Sequence, residues 1–169
     1  METFEAIKTR RSIRKYEELK VPDELIQKLL SSAMQAPSAG NQQPWHFIVI
    51  TDKNILQQCS KIHVNAPMAK DAALAILVCG DVVLERHKDY WPQDCSAAIQ
   101  NVLLAAHDMG FGAVWCGVYP RKERVDGFKK FFNLPENVIP FALIPIGYPA
   151  EKKSPDNRFK EDRVHYNKW

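Results

Sequence analysis

Two short stretches of this chain concentrate side chains able to hold a charged, flat ligand. The first, Lys8-Thr9-Arg10-Arg11-Ser12-Ile13-Arg14-Lys15-Tyr16, places five cations within eight residues. Guanidinium forks beside a hydroxyl match the oxygens of a phosphate, so Arg10, Arg11, Ser12 and Arg14 form a candidate anion site, with Lys8 a solvated member. An exposed basic turn neutralised by Glu17 and Glu18 accounts for the same residues without a ligand. A nucleic-acid footprint fits poorly, because one aromatic stands at the edge of the stretch and no further basic stripe continues it.

The second stretch is Ala36-Pro37-Ser38-Ala39-Gly40-Asn41-Gln42-Gln43-Pro44-Trp45-His46-Phe47. Gly40 admits backbone angles that other residues avoid, and Pro37 and Pro44 stiffen the two ends. Ser38, Asn41, Gln42 and Gln43 crowd donors and acceptors together without one formal charge, which suits the edge of a heteroaromatic ring. An ordinary solvated helix-to-strand connection uses the same residue types.

The remaining candidates are weaker. Cys59, Cys79, Cys95 and Cys116 are spaced about twenty residues apart with no C-x-x-C pair and no paired histidines, which speaks against zinc. Free buried cysteines suit a reducing cytoplasm. His87 stands near Glu85 and Asp89, but no second histidine is spaced to complete a metal site, so no metal is expected. His107 reads as a packed or capping histidine. The N-terminus lacks an apolar run of signal-peptide type, and Ala72 to Cys79 is too short to span a bilayer, so a cytoplasmic protein without membrane or nucleic-acid partners is expected.

These residues need a scaffold, and 169 residues, 46% hydrophobic and 25% charged, are enough for one domain with a sizeable core. The net charge of +3 is small and mixed along the chain. A short helix around Phe4 to Ile7 precedes the basic stretch. Pro22, Asp23 and Glu24 open a core-facing helix carrying Leu25, Ile26, Leu29, Leu30 and Ala33. His46 to Ile50 reads as a strand, and Thr51 or Asp52 caps a helix to about Ile62. Asn65-Ala66-Pro67-Met68 is a turn into a central strand, Ala73 to Cys79. Residues 81–93 are poorly periodic and read as a lid or a surface excursion. The clearest helix runs from Asp94 to Met109 and stops at Gly110; its apolar residues on several sides place it centrally or at a subunit interface. Phe111 to Cys116 is a strand, and a helix with Val125, Phe128, Phe131 and Phe132 follows. Val138 to Gly147 is the last strand, where Pro140 and Pro145 argue for an edge or an irregular end. The polar tail ends in Val164, Tyr166 and Trp169, which need cover; an arm over a partner subunit would provide it.

Taken together, the chain resembles the nitroreductase family of small FMN-dependent flavoproteins over essentially its whole length. Arg10-Arg11-Ser12-Ile13-Arg14 resembles the element that holds the FMN phosphate and ribityl chain. Pro37-Ser38-Ala39-Gly40-Asn41-Gln42-Gln43-Pro44-Trp45 resembles the loop that reaches the flavin from the other subunit. Met109 to Gly117 resembles the segment lining the ring, and Ile146-Gly147-Tyr148-Pro149 introduces a tail whose Arg158 would close on the phosphate. Two departures stand out. Larger members carry Glu-Gly where this chain has Cys116-Gly117. Asn65 resembles an asparagine near the ring, but the lysine that follows it by three residues in those members is Met68 here, so another cation must substitute or the flavin potential falls.

The resemblance implies an α+β fold with a central mixed, mainly antiparallel sheet flanked by helices. It implies a single domain, 1–169, with 148–169 an exchanged C-terminal arm packing on the partner of a homodimer. It implies FMN held by Arg10, Arg11, Ser12, Arg14, Pro37, Ser38, Ala39, Asn41, Gln43, Asn65, Trp115, Cys116, Gly117 and Arg158. Ping-pong transfer from NADH or NADPH through flavin N5 to a nitroaromatic, quinone or similar small acceptor follows, with no catalytic side chain. Cys116 would offer its backbone N–H to the ring rather than act as a redox thiol. A flavin-binding redox sensor, or a flavin-destroying or dehalogenating enzyme of the same family, is the competing expectation.

Overall fold

The computed structural model describes residues 1–169. In chain order the elements are α1 (Thr3–Thr9), α2 (Asp23–Met34), β1 (Trp45–Ile50), α3 (Lys53–Ile62), β2 (Leu74–Asp81), α4 (Trp91–Asp108), β3 (Gly112–Ala113), β4 (Cys116–Gly117), α5 (Lys122–Phe132) and β5 (Val138–Gly147). The strands form one sheet in the order β1-β2-β5-β3, with β4 also on β5. Every strand pairing is antiparallel, and one isolated parallel bridge, Ser12 to Ala113, adds the basic stretch to the edge. The α+β class with a mainly antiparallel sheet is therefore what the chain adopts.

Side chains alternate across β2, so its two faces serve two cores. Leu74, Ile76 and Val78 pack with Leu29 of α2 and Ile99 and Val102 of α4. Ala75, Leu77 and Cys79 pack with Leu56 of α3 and Phe128 of α5. α4 packs against both the sheet and α2, which is why it is apolar on more than one side. Removing the Ile99 side chain down to Ala there would cost about 3 kcal/mol, transfer and cavity together. α3 begins where expected: the Asp52 carboxylate accepts from the Asn54 and Ile55 amides at 2.8 and 3.0 Å.

Three expectations need correction. β5 is not an edge strand; it lies between β2 and the β3–β4 edge and is almost wholly buried. The other alternative, an irregular end, is what the prolines mark: Pro140, opposite Cys79, adjoins the register shift at which β5 bulges by one residue, and Pro145, which has no N–H to give, lies opposite Val114. That same missing donor divides the expected strand Phe111 to Cys116 into β3 and β4. Finally, α4 starts at Trp91, three residues before Asp94, because Pro92 fits the first turn and the Glu85 carboxylate accepts the Trp91 amide at 3.0 Å.

Candidate active site

Helix α1 delivers Arg10 and Arg11 into a cavity of about 800 Å³ that Arg158 closes from the C-terminal segment, with Phe4, Ile7 and Phe159 around it. Neither Arg10 nor Arg11 has a carboxylate partner, while Arg158 lies 3.9 Å from Asp156 at the rim. Burial lowers the Arg10 pKa, and the charges of Arg158 and Arg11 lower it further. Arg11 is tied to the Ser154, Lys8 and Arg10 carbonyls, yet its Nη2 is buried without a hydrogen-bond partner. Three converging guanidinia and an orphaned buried donor fit a dianionic phosphate. The exposed-turn reading, with Glu17 and Glu18 as neutralising partners, is not what the ion pairs show.

From this cavity the chain runs along the sheet edge. The Ile13 amide donates to Ala113 O at 3.0 Å, and Gly112 permits the contact, since a Cβ there would lie 2.5 Å from Ile13 Cγ2. The strand thus links the arginine cavity to the β3–β4 edge, where Trp115, Cys116 and Gly117 follow. Val114 and Val118 donate to Pro145 and Phe141 in one continuous register with Cys116 opposite Leu143. Antiparallel alternation therefore turns the Cys116 N–H toward β5 and the Trp115 and Gly117 N–H groups away from it. The free donor expected at Cys116 belongs instead to its neighbours. Burial pushes the Cys116 thiol up to about 11, with Arg14 and Arg124 pulling partly the other way. A thiol held protonated in this way is a poor nucleophile.

The outward Gly117 carbonyl accepts two hydrogen bonds, from His63 Nε2 and Arg124 Nη1, each at 2.8 Å. A carbonyl only accepts, so the proton of neutral His63 sits on Nε2 and Nδ1 carries the lone pair. Nδ1 is buried without a partner, and burial lowers the His63 pKa. Neither residue was singled out in the sequence; a lone histidine and an arginine on a charged helix carry no spacing signal. Asn65 stands exposed on the turn beyond His63, and Met68 is buried in the 3₁₀ turn that follows.

The amide-rich loop is a built structure. Gly40, Asn41 and Gln43 have φ of 53°, 54° and 48°, conformations that cost side-chain-bearing residues energy and cluster at ligand sites. Gln42, read as a ring-facing donor, is buried: its amide donates to Asp94 Oδ2 at 2.7 Å and its oxygen accepts from the Arg86 and His87 amides. Asp94 Oδ1 also accepts the Ala39 amide at 2.9 Å. Ser38 Oγ accepts the Gln43 amide, and Gln43 Nε2 donates to Asn41 Oδ1. Ser38 and Ala39 are half-buried, and Pro37, Asn41 and Gln43 are exposed. The 82–90 segment folds onto this loop, so the irregular stretch is a clamp. Asp94 is the positioning residue missed in the sequence; its place in the first turns of a helix reads as ordinary capping.

Asp94 and His107 mark the two ends of this site along α4. Asp94 holds the loop, whereas His107 Nε2 lies 2.8 Å from Thr9 Oγ1, next to Arg10. They are thirteen helical steps apart, roughly 20 Å along the axis. One chain brings Arg10, Arg11 and Arg158 together and adds Ser12, Arg14 and the β4 edge, but its own loop stays at the far end. The C-terminal segment begins against its own chain: Glu17 donates to Tyr148 O, Arg14 to the Glu151 carboxylate, and Lys153 Nζ to Ser12 O. Beyond it, Phe159, Tyr166 and Trp169 are exposed. No helix is long and apolar enough to cross a membrane.

Known proteins resemble this chain over essentially its whole length. The family model described as the Nitroreductase family matches residues 7–90 and 61–148. A protein of Methanothermobacter thermautotrophicus, provisionally named NADH dehydrogenase/NAD(P)H nitroreductase, is 53% identical over 169 residues, 100% of this chain and 88% of its own. The FMN-dependent nitroreductase of Clostridium difficile R20291 superposes with a TM-score of 0.92 at 31% identity, covering 98% of this chain and 99% of its own. A nitroreductase-type protein of Desulfovibrio desulfuricans, solved in complex with FMN, gives 0.87 at 29% identity over 100% and 98%. With the family model spanning most of its length and a relative more than half identical throughout, this chain belongs to the nitroreductase family.

Proposed function

We propose that the protein is an FMN-dependent NAD(P)H oxidoreductase whose two sites are shared between the copies of a homodimer. The observation that carries this reading is the cavity where Arg10, Arg11 and Arg158 converge, the first two without a carboxylate partner. They would bind the phosphate, Ser12 and Arg14 the chain leading away from it, and Trp115 and Gly117, on either side of Cys116, together with Asn65 the ring. Pro37, Ser38, Ala39, Asn41 and Gln43 would come from the partner copy, because each loop is held at the far end of its own α4. Residues 148–169 would form a C-terminal arm that stays on its own chain as far as Arg158 and packs beyond it on that copy, covering Tyr166 and Trp169.

When bound, FMN supplies two-electron chemistry at N5. The side chains orient and exclude water. NAD(P)H is oxidised to NAD(P)⁺ in a first half-reaction, and in a second a small acceptor such as a quinone or nitroaromatic takes two electrons with two protons, one from the nucleotide hydride and one from solvent. In this reading no side chain acts as a proton donor, so access to the ring face, not acid–base tuning, would select the acceptor. Purified protein is expected to be yellow and to bleach with NADH or NADPH under nitrogen, then recolour with a quinone. Yellow protein that neither nucleotide bleaches would contradict the oxidoreductase reading.

A further inference from the structure

We infer that Arg124 is a positioning residue for the ring end of the site: it fixes the Gly117 peptide edge and supplies positive charge to a ligand that becomes anionic on reduction. The inference rests on the proposed FMN site and names the cation that site lacks at Met68.

Arg124 lies in the first turn of α5, half-buried, with Nη1 at 2.8 Å from Gly117 O and 3.3 Å from His63 Nε2. No carboxylate lies within ion-pair distance of it. His63, 2% exposed, donates to the same carbonyl and cannot neutralise the guanidinium. Two donors converging on one carbonyl fix the orientation of that peptide. In an extended strand the N–H and C=O of one residue point the same way, so the Gly117 N–H emerges on the side that carries Arg124. A ring atom accepting that N–H meets an unneutralised cation close by, in surroundings that Cys116, Val118 and Phe128 keep apolar. Weak screening there makes one charge effective. Met68, buried in the neighbouring turn, brings no charge, so Arg124 carries this role from α5.

Charge of this kind favours the reduced, anionic form over the oxidised, neutral one, and the midpoint potential reads that ratio directly. In FMN-loaded protein, Arg124→Gln keeps a hydrogen-bond donor for Gly117 and removes the charge. It is expected to lose about tenfold in affinity for reduced relative to oxidised FMN, a midpoint lower by about 30 mV for a two-electron couple. Arg124→Lys, which keeps the charge, should shift less than half as far. Flavin-loaded R124Q at the wild-type potential overturns the inference and leaves the function standing. Wild-type protein that takes up no FMN overturns both. Should R124Q fail to hold flavin, R124H takes its place: its midpoint, referred to wild type at each pH, must fall as the new imidazole loses its proton, and a constant difference overturns the inference.

Discussion

The Gln42 side-chain amide donates to Asp94 Oδ2 at 2.7 Å, and both side chains are buried, at 7% and 4% exposure. This bond and the one from Ala39 hold a loop whose backbone would otherwise relax out of its left-handed turns. Replacing Asp94 with Ala removes two hydrogen bonds to a carboxylate and leaves the Gln42 amide unpaired. The expected cost is about 3 kcal/mol, which lowers Tm by roughly 10 °C in a chain of this size. Calorimetry of D94A beside D94N, which keeps one acceptor, measures the loss; an unchanged Tm in D94A would show that the clamp does not hold the loop.

Gly40 is required twice over. Its φ is 53°, and a Cβ on it would lie 2.3 Å from His87 Nε2. Gly40→Ala should destabilise by about 1 kcal/mol from the backbone alone, and further where His87 must move. In the double-mutant cycle, His87→Ala should restore the steric part and leave the backbone part. Strictly additive effects in urea denaturation would place His87 elsewhere.

The arginine cavity makes a quantitative claim. Each guanidinium on a phosphate is worth about 1.5–3 kcal/mol, so Arg10→Ala or Arg158→Ala should weaken FMN by about one to two orders of magnitude. Replacing both should give colourless protein. Quenching of FMN fluorescence on titration with apoprotein measures this, and riboflavin, which lacks the phosphate, should be nearly indifferent to both changes. Equal losses for riboflavin and FMN would remove the phosphate from the cavity.

Buried thiols set the alkaline limit. Cys59 and Cys79 are each pushed up to about 12 and Cys116 to about 11 by burial, from an ordinary value near 9. The unfolded chain loses these protons first, so their contribution is complete below pH 9 and is lost as pH rises toward 12. Cys116→Ser should flatten the part of that fall between pH 9 and 11. At neutral pH a thiol reagent should titrate none of the four cysteines quickly in the native protein and all four in denaturant. A fast-reacting Cys116 would reopen a redox role for it.

His63 sets an acid limit of the opposite sign. Burial, then Arg124, hold its pKa below the ordinary 6.5, while the Gly117 carbonyl raises it in part. The unfolded chain takes up the proton first, so the stability present above pH 6.5 is lost as pH falls below that value. His107, lowered chiefly by burial and then by Arg10, adds to the same fall. Melting curves from pH 7.5 to 5 should show His63→Gln with a shallower decline than wild type; a parallel decline would assign the acid sensitivity to other groups.

Much of this architecture was legible in the sequence because its signals are local. Pro22 with Asp23 and Glu24 opens α2, Asp52 caps α3, and the apolar run before Cys79 is the buried strand it resembles. What escaped notice depends on partners distant in the chain. Pro140 and Pro145 look like edge residues until the bulge at Phe141 in β5 and the gap between β3 and β4 are seen to absorb them. Gln42 is indistinguishable by type from Asn41 and Gln43, yet Asp94, fifty-two residues away, turns it inward. Arg124 and His63 meet over Gly117 across the second core, and neither carries a motif. Residue types located the candidate site, whereas only the packed chain separates its scaffold from the surfaces left for a ligand.

The shared site is tested most directly by mixing two defective chains. One carries Arg10→Ala with Arg158→Ala, the other Asn41→Ala with Gln43→Ala; neither should retain FMN alone. A mixed pair joins the intact arginine cavity of one copy to the intact loop of the other. Bound FMN per pair, read by absorbance after the two are refolded together, should rise from near zero to one in the mixed dimers. No recovery of flavin in mixed dimers of confirmed composition would mean that each chain builds its site alone.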